Sequence, residues 1–159
     1  MTVIESKISR DELETLYYNY ANALDDELAC WPEFFTNDCL YKIVTRENYD
    51  RDLPLALMLC EGRGMVLDRV DAVKRINFYT PRFFRHVISN ICIVKNACGT
   101  LYAQANFVVF ESFVDDTIHV FNAGRYFDII VREETTLKFC QKICVLDGNL
   151  IPGSLIFPI

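Results

Sequence analysis

The sequence lacks the features that would connect it to nucleic acid or to a membrane. Basic residues are few: 16 lysines and arginines stand against 22 aspartates and glutamates, giving a net charge of −6 and a pI near 4.9. Such a chain has no basic surface for phosphate groups. No apolar run approaches the roughly 20 residues of a membrane-spanning helix, and Glu5 stands where the apolar part of a signal peptide would begin. We therefore expect no nucleic acid, no membrane and a cytoplasmic location.

Motifs for metal binding and nucleophilic catalysis are also missing. The two histidines, His86 and His119, lie on separate predicted strands, and the seven cysteines include no Cys-x-x-Cys pair. Zinc and iron–sulfur sites need such groupings. The sequence contains neither a Gly-x-Ser-x-Gly elbow nor a phosphate-binding glycine loop. We expect no metal or cofactor on this chain, and reduced cysteines packed as small hydrophobic residues.

The overall composition is typical of one globular domain with a core rich in aromatic rings. Apolar residues make up 52% of the 159 residues, and 12 Phe, 8 Tyr and 1 Trp favour strands. A chain of this length buries about two-thirds of its unfolded surface, so it folds without disulfide or metal. We expect residues 1–159 to form a single domain.

The N-terminal half of the chain predicts helices and short strands. Ser9 and Glu12 form a capping box, and leucines and tyrosines follow at helical spacing. The predicted elements are a helix Arg10–Ala29, a short helix around Trp31–Phe35, a strand Cys39–Thr45, a loop Arg46–Asp52, a strand Leu55–Cys60 and a helix Met65–Ile76.

The C-terminal half predicts four long strands joined by turns, because its apolar residues alternate with period two. Their bounds are Arg82–Lys95, Leu101–Phe113, Ile118–Arg132, which has a bulge at Gly124, and Leu137–Leu146. The first alternates without interruption and puts one set of residues on one face: Phe84, His86, Ile88, Asn90, Cys92 and Val94. The fold class is α+β, with a curved, mostly antiparallel sheet that cups the N-terminal helices.

Charged and aromatic residues in these strands indicate a subunit interface. Arginines inside apolar strands are costly to bury unless paired, and are common at interfaces. Together with Tyr79, Phe83, Phe84 and Tyr126, the arginines suggest a sheet surface that meets another subunit. Leu150–Ile159 has no charged side chain and is expected to pack on its own domain or on a neighbour. The candidate interface residues are Arg82, Arg85, His86, Arg125, Tyr126, Arg132, Ile156 and Phe157.

Two other function classes remain open. One is a cyclase, dehydratase or isomerase that uses His86 as a general base in a cavity of the sheet, oriented by Asp128 or Asp68. It requires His86 inside the cavity, within about 3 Å of a carboxylate or of a plausible substrate position. The other is a module that binds a small molecule. From the residues alone, assembly is favoured over catalysis.

Four segments, in this order along the chain, resemble the small (beta) subunits of Rieske-type aromatic-ring-hydroxylating oxygenases. Each motif is modest, but together they span nearly the whole chain. The segments are Trp31-Pro-Glu-Phe-Phe-Thr-Asn-Asp-Cys-Leu-Tyr41, Leu67-Asp-Arg-Val70, Arg85-His-Val-Ile-Ser-Asn90 and Gly124-Arg-Tyr-Phe-Asp128.

The resemblance implies a cone-shaped fold like that of nuclear transport factor two-like proteins, polyketide cyclases and scytalone dehydratase. It also implies a large alpha subunit as partner, commonly as an α3β3 hexamer. The alpha subunit would hold the Rieske [2Fe-2S] cluster and the mononuclear iron, and the present chain would be non-catalytic. Electrons from NAD(P)H would arrive through a reductase and a ferredoxin, with O2 as co-substrate for mono- or dioxygenation.

The same resemblance is strongest to small subunits that act with aromatic carboxylates. This likeness lies in the segment from Trp31 to Cys39 and in Glu47-Asn-Tyr49. The narrowest expectation is a salicylate 5-hydroxylase, followed by terephthalate and anthranilate dioxygenases.

Overall fold

The computed structural model describes residues 7–76, 80–97 and 99–159. Tyr79 and Cys98 therefore lie outside the described residues. The helices are α1 (Arg10–Asp26), α2 (Arg46–Asp50) and α3 (Arg63–Asp71), with a 3-10 segment Leu28–Phe34 and a π-helical segment Ala72–Ile76. The strands are β1 (Phe35–Thr45), β2 (Met58–Glu61), β3 (Arg82–Ala97), β4 (Thr100–Phe113), β5 (His119–Glu133) and β6 (Thr136–Leu146).

These strands form one six-stranded sheet in the order β2-β1-β6-β5-β4-β3. The pairs between consecutive strands from β3 to β6 are antiparallel, as is β1 with β2. The pair β1–β6 is parallel, with Ile43 opposite Cys144, and joins the first half of the chain to its last strand. The expected α+β class with a curved, mostly antiparallel sheet is confirmed.

Helix α1 lies against the concave side of this sheet. Ser9 Oγ accepts a hydrogen bond from Glu12 N, and Glu12 Oε2 accepts one from Ser9 N, so the predicted capping box is present. One face of the helix is buried and includes Leu13, Tyr17 and Tyr20. The helix contacts β3 and β6, which places its two tyrosines in the core between them.

The short elements differ from the sequence prediction in several places. Strand β1 begins at Phe35 instead of Cys39, and β2 spans Met58–Glu61 instead of Leu55–Cys60. Helix α1 ends at Asp26 instead of continuing to Ala29, and the chain passes into the 3-10 segment. The predicted loop after β1 begins with helix α2, because the Thr45 side chain accepts a hydrogen bond from Asn48 N and so caps it.

Strand β3 also departs from the predicted alternation. Asn90 has a positive φ of 52°, and the pairing with β4 shifts register between Ser89 and Cys92. Such a bulge reverses the faces of the residues that follow. Ile91 therefore packs against the core, whereas Cys92 and Val94 are exposed.

The bulge predicted at Gly124 lies elsewhere. Gly124 is in regular register with both neighbouring strands, and the shift in β5 falls at Phe121. A Cβ on Gly124 would overlap the carbonyl oxygen of Val145 and lie 3.0 Å from the Phe107 ring. The missing side chain therefore permits close approach of β5 to β6.

We expect Gly124→Ala to lower the free energy of unfolding by about 2 to 3 kcal/mol, because the added methyl group forces the two strands apart. Gly64→Ala is the matched control, since a Cβ there meets nothing within 4 Å. It lies in α3 and should be neutral or stabilising by up to about 1 kcal/mol. Urea unfolding of both variants measures this. Equal stability of the two variants would contradict the close-approach explanation.

Candidate functional site

The convex surface of β3, β4 and the start of β5 is apolar. Phe83, Ile118 and Val120 are 66%, 71% and 58% exposed. The strand register places Phe110 between Arg85 and Val120, so these side chains adjoin across three strands. We name the surface the outer apolar face. It consists of Phe83, Val87, Phe110, Ile118 and Val120.

A cleft of about 400 Å³ opens in the outer apolar face. Phe83, Phe110 and Ile118 form most of its walls, and Arg85 and Ser112 line its rim. An apolar pocket bordered by a guanidinium and a hydroxyl is the kind of surface that receives an aromatic or aliphatic anchor of a partner protein.

Two of the expected interface arginines are exposed on this side of the sheet. The Arg85 side chain is 62% exposed, and its Nη1 lies 3.5 Å from Asp25 Oδ2 and 3.8 Å from Asp26 Oδ2. Arg125 Nε donates a hydrogen bond to Asn106 Oδ1 over 3.1 Å. Both guanidinium groups are oriented by these contacts and retain exposed surface.

Two other expected interface arginines are paired within the chain. Arg82 Nη1 lies 2.6 Å from Glu111 Oε1, and its guanidinium stacks over Phe113 with 5.0 Å to the ring centre. Arg132 Nη2 lies 2.8 Å from Glu12 Oε1. These pairs tie β3 to β4 and β5 to α1.

Two of the candidate interface residues, His86 and Tyr126, are buried inside the domain. Tyr126 has no exposed surface and stacks on Phe107, with 4.4 Å between ring centres. The His86 side chain is 2% exposed. Residues with even numbers face inward in β3 before the Asn90 bulge and in β5 after Phe121. The rings of His86 and Tyr126 therefore do not reach the convex surface.

His86 is held by a carboxylate that the sequence did not reveal. Its Nδ1 lies 2.6 Å from Asp25 Oδ1, and its main-chain N–H donates to both oxygens of the same group. The orienting carboxylate is thus Asp25 on α1, not Asp68 or Asp128. Nε2 of His86 is buried with no hydrogen-bond partner among the described residues.

The interior of the cone holds a buried ion pair. Lys142 and Asp128 have fully buried side chains, and Lys142 Nζ donates to Asp128 Oδ2 over 2.9 Å. Tyr17 donates its hydroxyl hydrogen to the same oxygen over 2.5 Å. The ammonium also lies 3.6 Å from the ring centre of Tyr126 and 4.2 Å from that of Phe139. This arrangement satisfies a charge that would otherwise be costly to bury.

A bulge in β6 turns Lys142 inward. The pairing with β5 skips Cys140, so Phe139 and Lys142 face the core although they are three residues apart. Strict alternation from Phe139 would have placed Lys142 outside. The sequence carries no signal of this burial, since β6 also contains the polar Lys138 and Gln141.

The last residues of the sequence occupy the space beside this pair. Ile159 is 1% exposed, and its main-chain oxygen accepts hydrogen bonds from Tyr20 Oη at 2.8 Å, Tyr41 Oη at 2.9 Å and Cys144 Sγ at 3.4 Å. Ile159 N donates to Tyr41 Oη over 2.8 Å. Of the two expected placements for this segment, packing on its own domain is the one observed.

Phe157 and Ile156 lead into this position. The Phe157 ring packs against Phe84, with 4.9 Å between ring centres. Ile156 is half-buried and shares a surface cleft with Arg82 and Glu111. Both therefore contact the body of the fold, and both keep partly exposed side chains.

Burial keeps the hydroxyl and thiol groups of the interior protonated. For four buried tyrosines, burial raises the pKa of the hydroxyl well above its ordinary value. For Cys144, burial raises the pKa of the thiol to about 12. Burial also raises the pKa of Asp128, against the opposing effect of Lys142. The interior thus provides hydrogen-bond donors and no thiolate nucleophile. The tyrosines are Tyr17, Tyr20, Tyr41 and Tyr126.

The described part of the chain holds no grouping of metal ligands. Among residues 7–76, 80–97 and 99–159, no set of three or more His, Cys, Asp or Glu side chains is placed to hold a metal ion. None of the described helices is both long and apolar enough to cross a bilayer. The six described cysteines are free thiols, and they include buried Cys39 and Cys60.

A family model described as the ring hydroxylating beta subunit matches residues 19–153. The chain belongs to this family. Iron in such oxygenases is carried by the alpha subunit, not by the beta subunit.

Individual relatives agree with this membership. The beta subunit is 34% identical to the anthranilate 1,2-dioxygenase small subunit of Burkholderia cepacia, over 93% of this chain and 92% of the relative. It is 26% identical to a terephthalate 1,2-dioxygenase terminal oxygenase beta subunit of Comamonas sp., over 94% and 99%. A crystal structure assigned as a ring-hydroxylating dioxygenase beta subunit, from Novosphingobium aromaticivorans, superimposes with a TM-score of 0.86 at 34% identity, over 94% and 96%.

We expect Lys142→Met or Asp128→Asn alone to lower the free energy of unfolding by about 3 to 5 kcal/mol, because each leaves an unpaired buried group. The double variant should lose less than the sum, since the new amide still accepts from Tyr17 and no charge remains. Lys142→Met should also lose stability as the pH rises, because folded Asp128 keeps a proton that the unfolded chain has released. Urea unfolding at about pH 5 and about pH 8 measures both effects.

Lys138→Met is the matched control, since Lys138 Nζ lies 3.5 Å from Glu133 in a partly exposed pair. Its loss should cost less than about 1 kcal/mol. Additive effects of Lys142→Met and Asp128→Asn would show that the two side chains are not coupled.

Proposed function

We propose that this chain is the non-catalytic small subunit of an oxygenase that hydroxylates an aromatic carboxylate, and that its outer apolar face binds the large alpha subunit. The outer apolar face is the observation that carries the proposal. A monomer rarely exposes adjoining Phe, Ile and Val side chains unless a partner covers them.

The composition of the face supports a protein partner. Phe83, Phe110 and Ile118 line an apolar cleft, and Arg85 lines it with them. Arg125 is exposed further along the same side of the sheet. Apolar centres bordered by arginines are typical of stable protein interfaces. Because Asp25 and Asp26 hold Arg85 in place, this side chain loses little conformational freedom when a partner binds.

The filled interior supports a non-catalytic role. Tyr17, Asp128 and Lys142 bind one another, and Ile159 occupies the donors of Tyr20 and Tyr41. In this conformation the chain itself therefore occupies the hydroxyl donors of Tyr17, Tyr20 and Tyr41. The reacting centre is then the iron of the alpha subunit, and this chain acts by orienting that subunit.

The relatives support the substrate class. Small subunits of anthranilate and terephthalate dioxygenases match over nearly their full length. Anthranilate, terephthalate and salicylate share a carboxylate on an aromatic ring, so we assign the complex an aromatic carboxylate, with salicylate 5-hydroxylation as the narrowest case. We further propose an α3β3 assembly in the cytoplasm, supplied with electrons from NAD(P)H by a reductase and a ferredoxin.

Phe83→Asp combined with Val120→Asp should abolish alpha-subunit binding. Two carboxylates in the apolar centre would be desolvated without partners on assembly, and at least a tenfold loss of co-purified alpha subunit is expected. The measurement is co-expression with the alpha subunit, affinity capture of the small subunit and iron analysis of the product. The intact complex is then assayed with salicylate, anthranilate, benzoate and terephthalate.

Leu150→Asp is the matched control, because Leu150 is 89% exposed and lies outside the outer apolar face. It should leave co-purification unchanged. If the doubly substituted chain folds and retains the alpha subunit as wild type does, this face is not the interface.

A second candidate function is supported by the Asp25–His86 pair. A carboxylate 2.6 Å from a histidine Nδ1 is the arrangement that orients a general base. It fits a cyclase, dehydratase or isomerase of the cone fold, with Asp25 in the orienting role.

His86→Gln separates the two functions. The assembly proposal expects turnover of the reconstituted complex within about threefold of wild type, whereas a catalytic His86 predicts a loss beyond about a hundredfold with assembly preserved. His119→Gln is the control, because His119 is exposed and bonds only to its neighbours Asp116 and Thr117. Native mass of each complex establishes that assembly is intact.

A further inference from the structure

The segment that runs from the end of α2 into β2 exposes four leucines at every second position. Their side chains are 38% to 69% exposed, although leucine is among the residues most often buried. The alternate residues Met58 and Cys60 face the core. We name the exposed row the leucine stripe. It consists of Leu53, Leu55, Leu57 and Leu59.

Hydrogen bonds to the rest of the fold hold the leucine stripe in position. The main-chain oxygen of Asn48 accepts a hydrogen bond from Leu53 N over 2.8 Å, and Asn48 Nδ2 donates to the main-chain oxygen of Leu55 over 3.1 Å. Leu57 N donates to the main-chain oxygen of Ile43 in β1 over 2.8 Å. A row of side chains fixed in this way loses little conformational freedom when a partner covers it.

The leucine stripe lies at the opposite edge of the sheet from the outer apolar face. β2 is the last strand on one side of the six-stranded order, and β3 is the last on the other. Strands β1 and β6 therefore separate the two apolar surfaces, and a partner on one surface leaves the other accessible. A row of adjoining exposed leucines indicates a surface that a protein partner covers.

The sequence of this segment is symmetric about Ala56. Each leucine before Ala56 has a counterpart at the same separation after it. Five residues away on either side stand opposite charges, Arg51 and Glu61. A surface that binds a second copy of itself about a twofold axis must carry its own complement. Antiparallel apposition about Ala56 provides this complement, because leucine then meets leucine and Arg51 meets Glu61 of the second copy.

The two charged residues are accessible for such pairing. The Arg51 side chain is 66% exposed, and its Nη1 lies 3.0 Å from Glu47 Oε1 in an exposed pair. Exposed pairs of this kind contribute little to stability, so the guanidinium can turn to another carboxylate at small cost. Glu61 ends β2 at the edge of the sheet and is exposed.

We propose that the leucine stripe binds a second copy of this chain about a twofold axis through Ala56. The leucines of the two copies form the apolar centre of the contact, and an Arg51–Glu61 pair forms at each end. These end pairs fix the antiparallel orientation, because the parallel one places like charges together. The inference uses neither the outer apolar face nor the alpha subunit, so it does not rest on the proposed function.

Sedimentation of the purified chain between about 1 and about 200 μM measures this self-association. The wild type should pass from monomer to dimer within that range. Leu55→Asp should weaken the dimer at least about tenfold, because a carboxylate loses its water inside the contact. Leu55 is 69% exposed, so its substitution should not disturb the fold. Circular dichroism and urea unfolding of the variant establish that it is folded.

Two controls show whether the leucine stripe itself is the contact. Leu150→Asp changes a leucine that is 89% exposed and outside the stripe, and the dimer constant should stay within about twofold of wild type. Phe83→Asp combined with Val120→Asp, on the outer apolar face, should also leave the dimer intact. A wild type that is monomeric at every concentration overturns the proposal. So does a loss of the dimer in either control that equals the loss in Leu55→Asp.

Exchange of the end charges tests the twofold arrangement. Arg51→Glu and Glu61→Arg should each weaken self-association at least about fivefold, because like charges then meet at both ends. An equimolar mixture of the two variants should recover a dimer within about twofold of the wild-type constant, since both end pairs are restored between unlike chains. A mixture that associates no better than each variant alone overturns the proposal.

Discussion

The positive charge of Lys142 must be accommodated inside the cone, and the arrangement of the interior depends on it. The ammonium needs an anion and hydrogen-bond acceptors once it leaves water. Asp128 supplies both, Tyr17 binds the same carboxylate, and the ring faces of Tyr126 and Phe139 surround the cation. Because these groups come from α1, β5 and β6, one interaction fixes the helix against two strands.

The two sides of the curved sheet differ in what they hold. Its concave side packs an apolar core around a buried ion pair, and there Ile159 accepts hydrogen bonds from Tyr20 and Tyr41. Its convex side displays phenylalanine, isoleucine and valine. An exposed apolar surface of this kind is suited to bind a partner.

Periodicity was sufficient to predict the long strands, helix α1 and its capping box, because these depend on local pattern. The bulges at Asn90 and Cys140 were not predictable, since each depends on pairing with a neighbouring strand. Those shifts decide that Cys92 is exposed and Lys142 buried. The partnership of His86 with Asp25 joins residues far apart in sequence, and only the packing of α1 on β3 creates it. The burial of Tyr126 was not predicted either, because alternation alone does not tell which face is inward.

The parallel pairing of β1 with β6 has a consequence for biosynthesis. Ile43 lies beside Cys144, so about a hundred residues must be made before the ladder between them can close. Until then β1, with its aromatic and aliphatic side chains, can pair only with β2 on one edge. Its other edge is open to strands from neighbouring nascent chains during translation. The sheet can therefore be completed only after β6 has been synthesised.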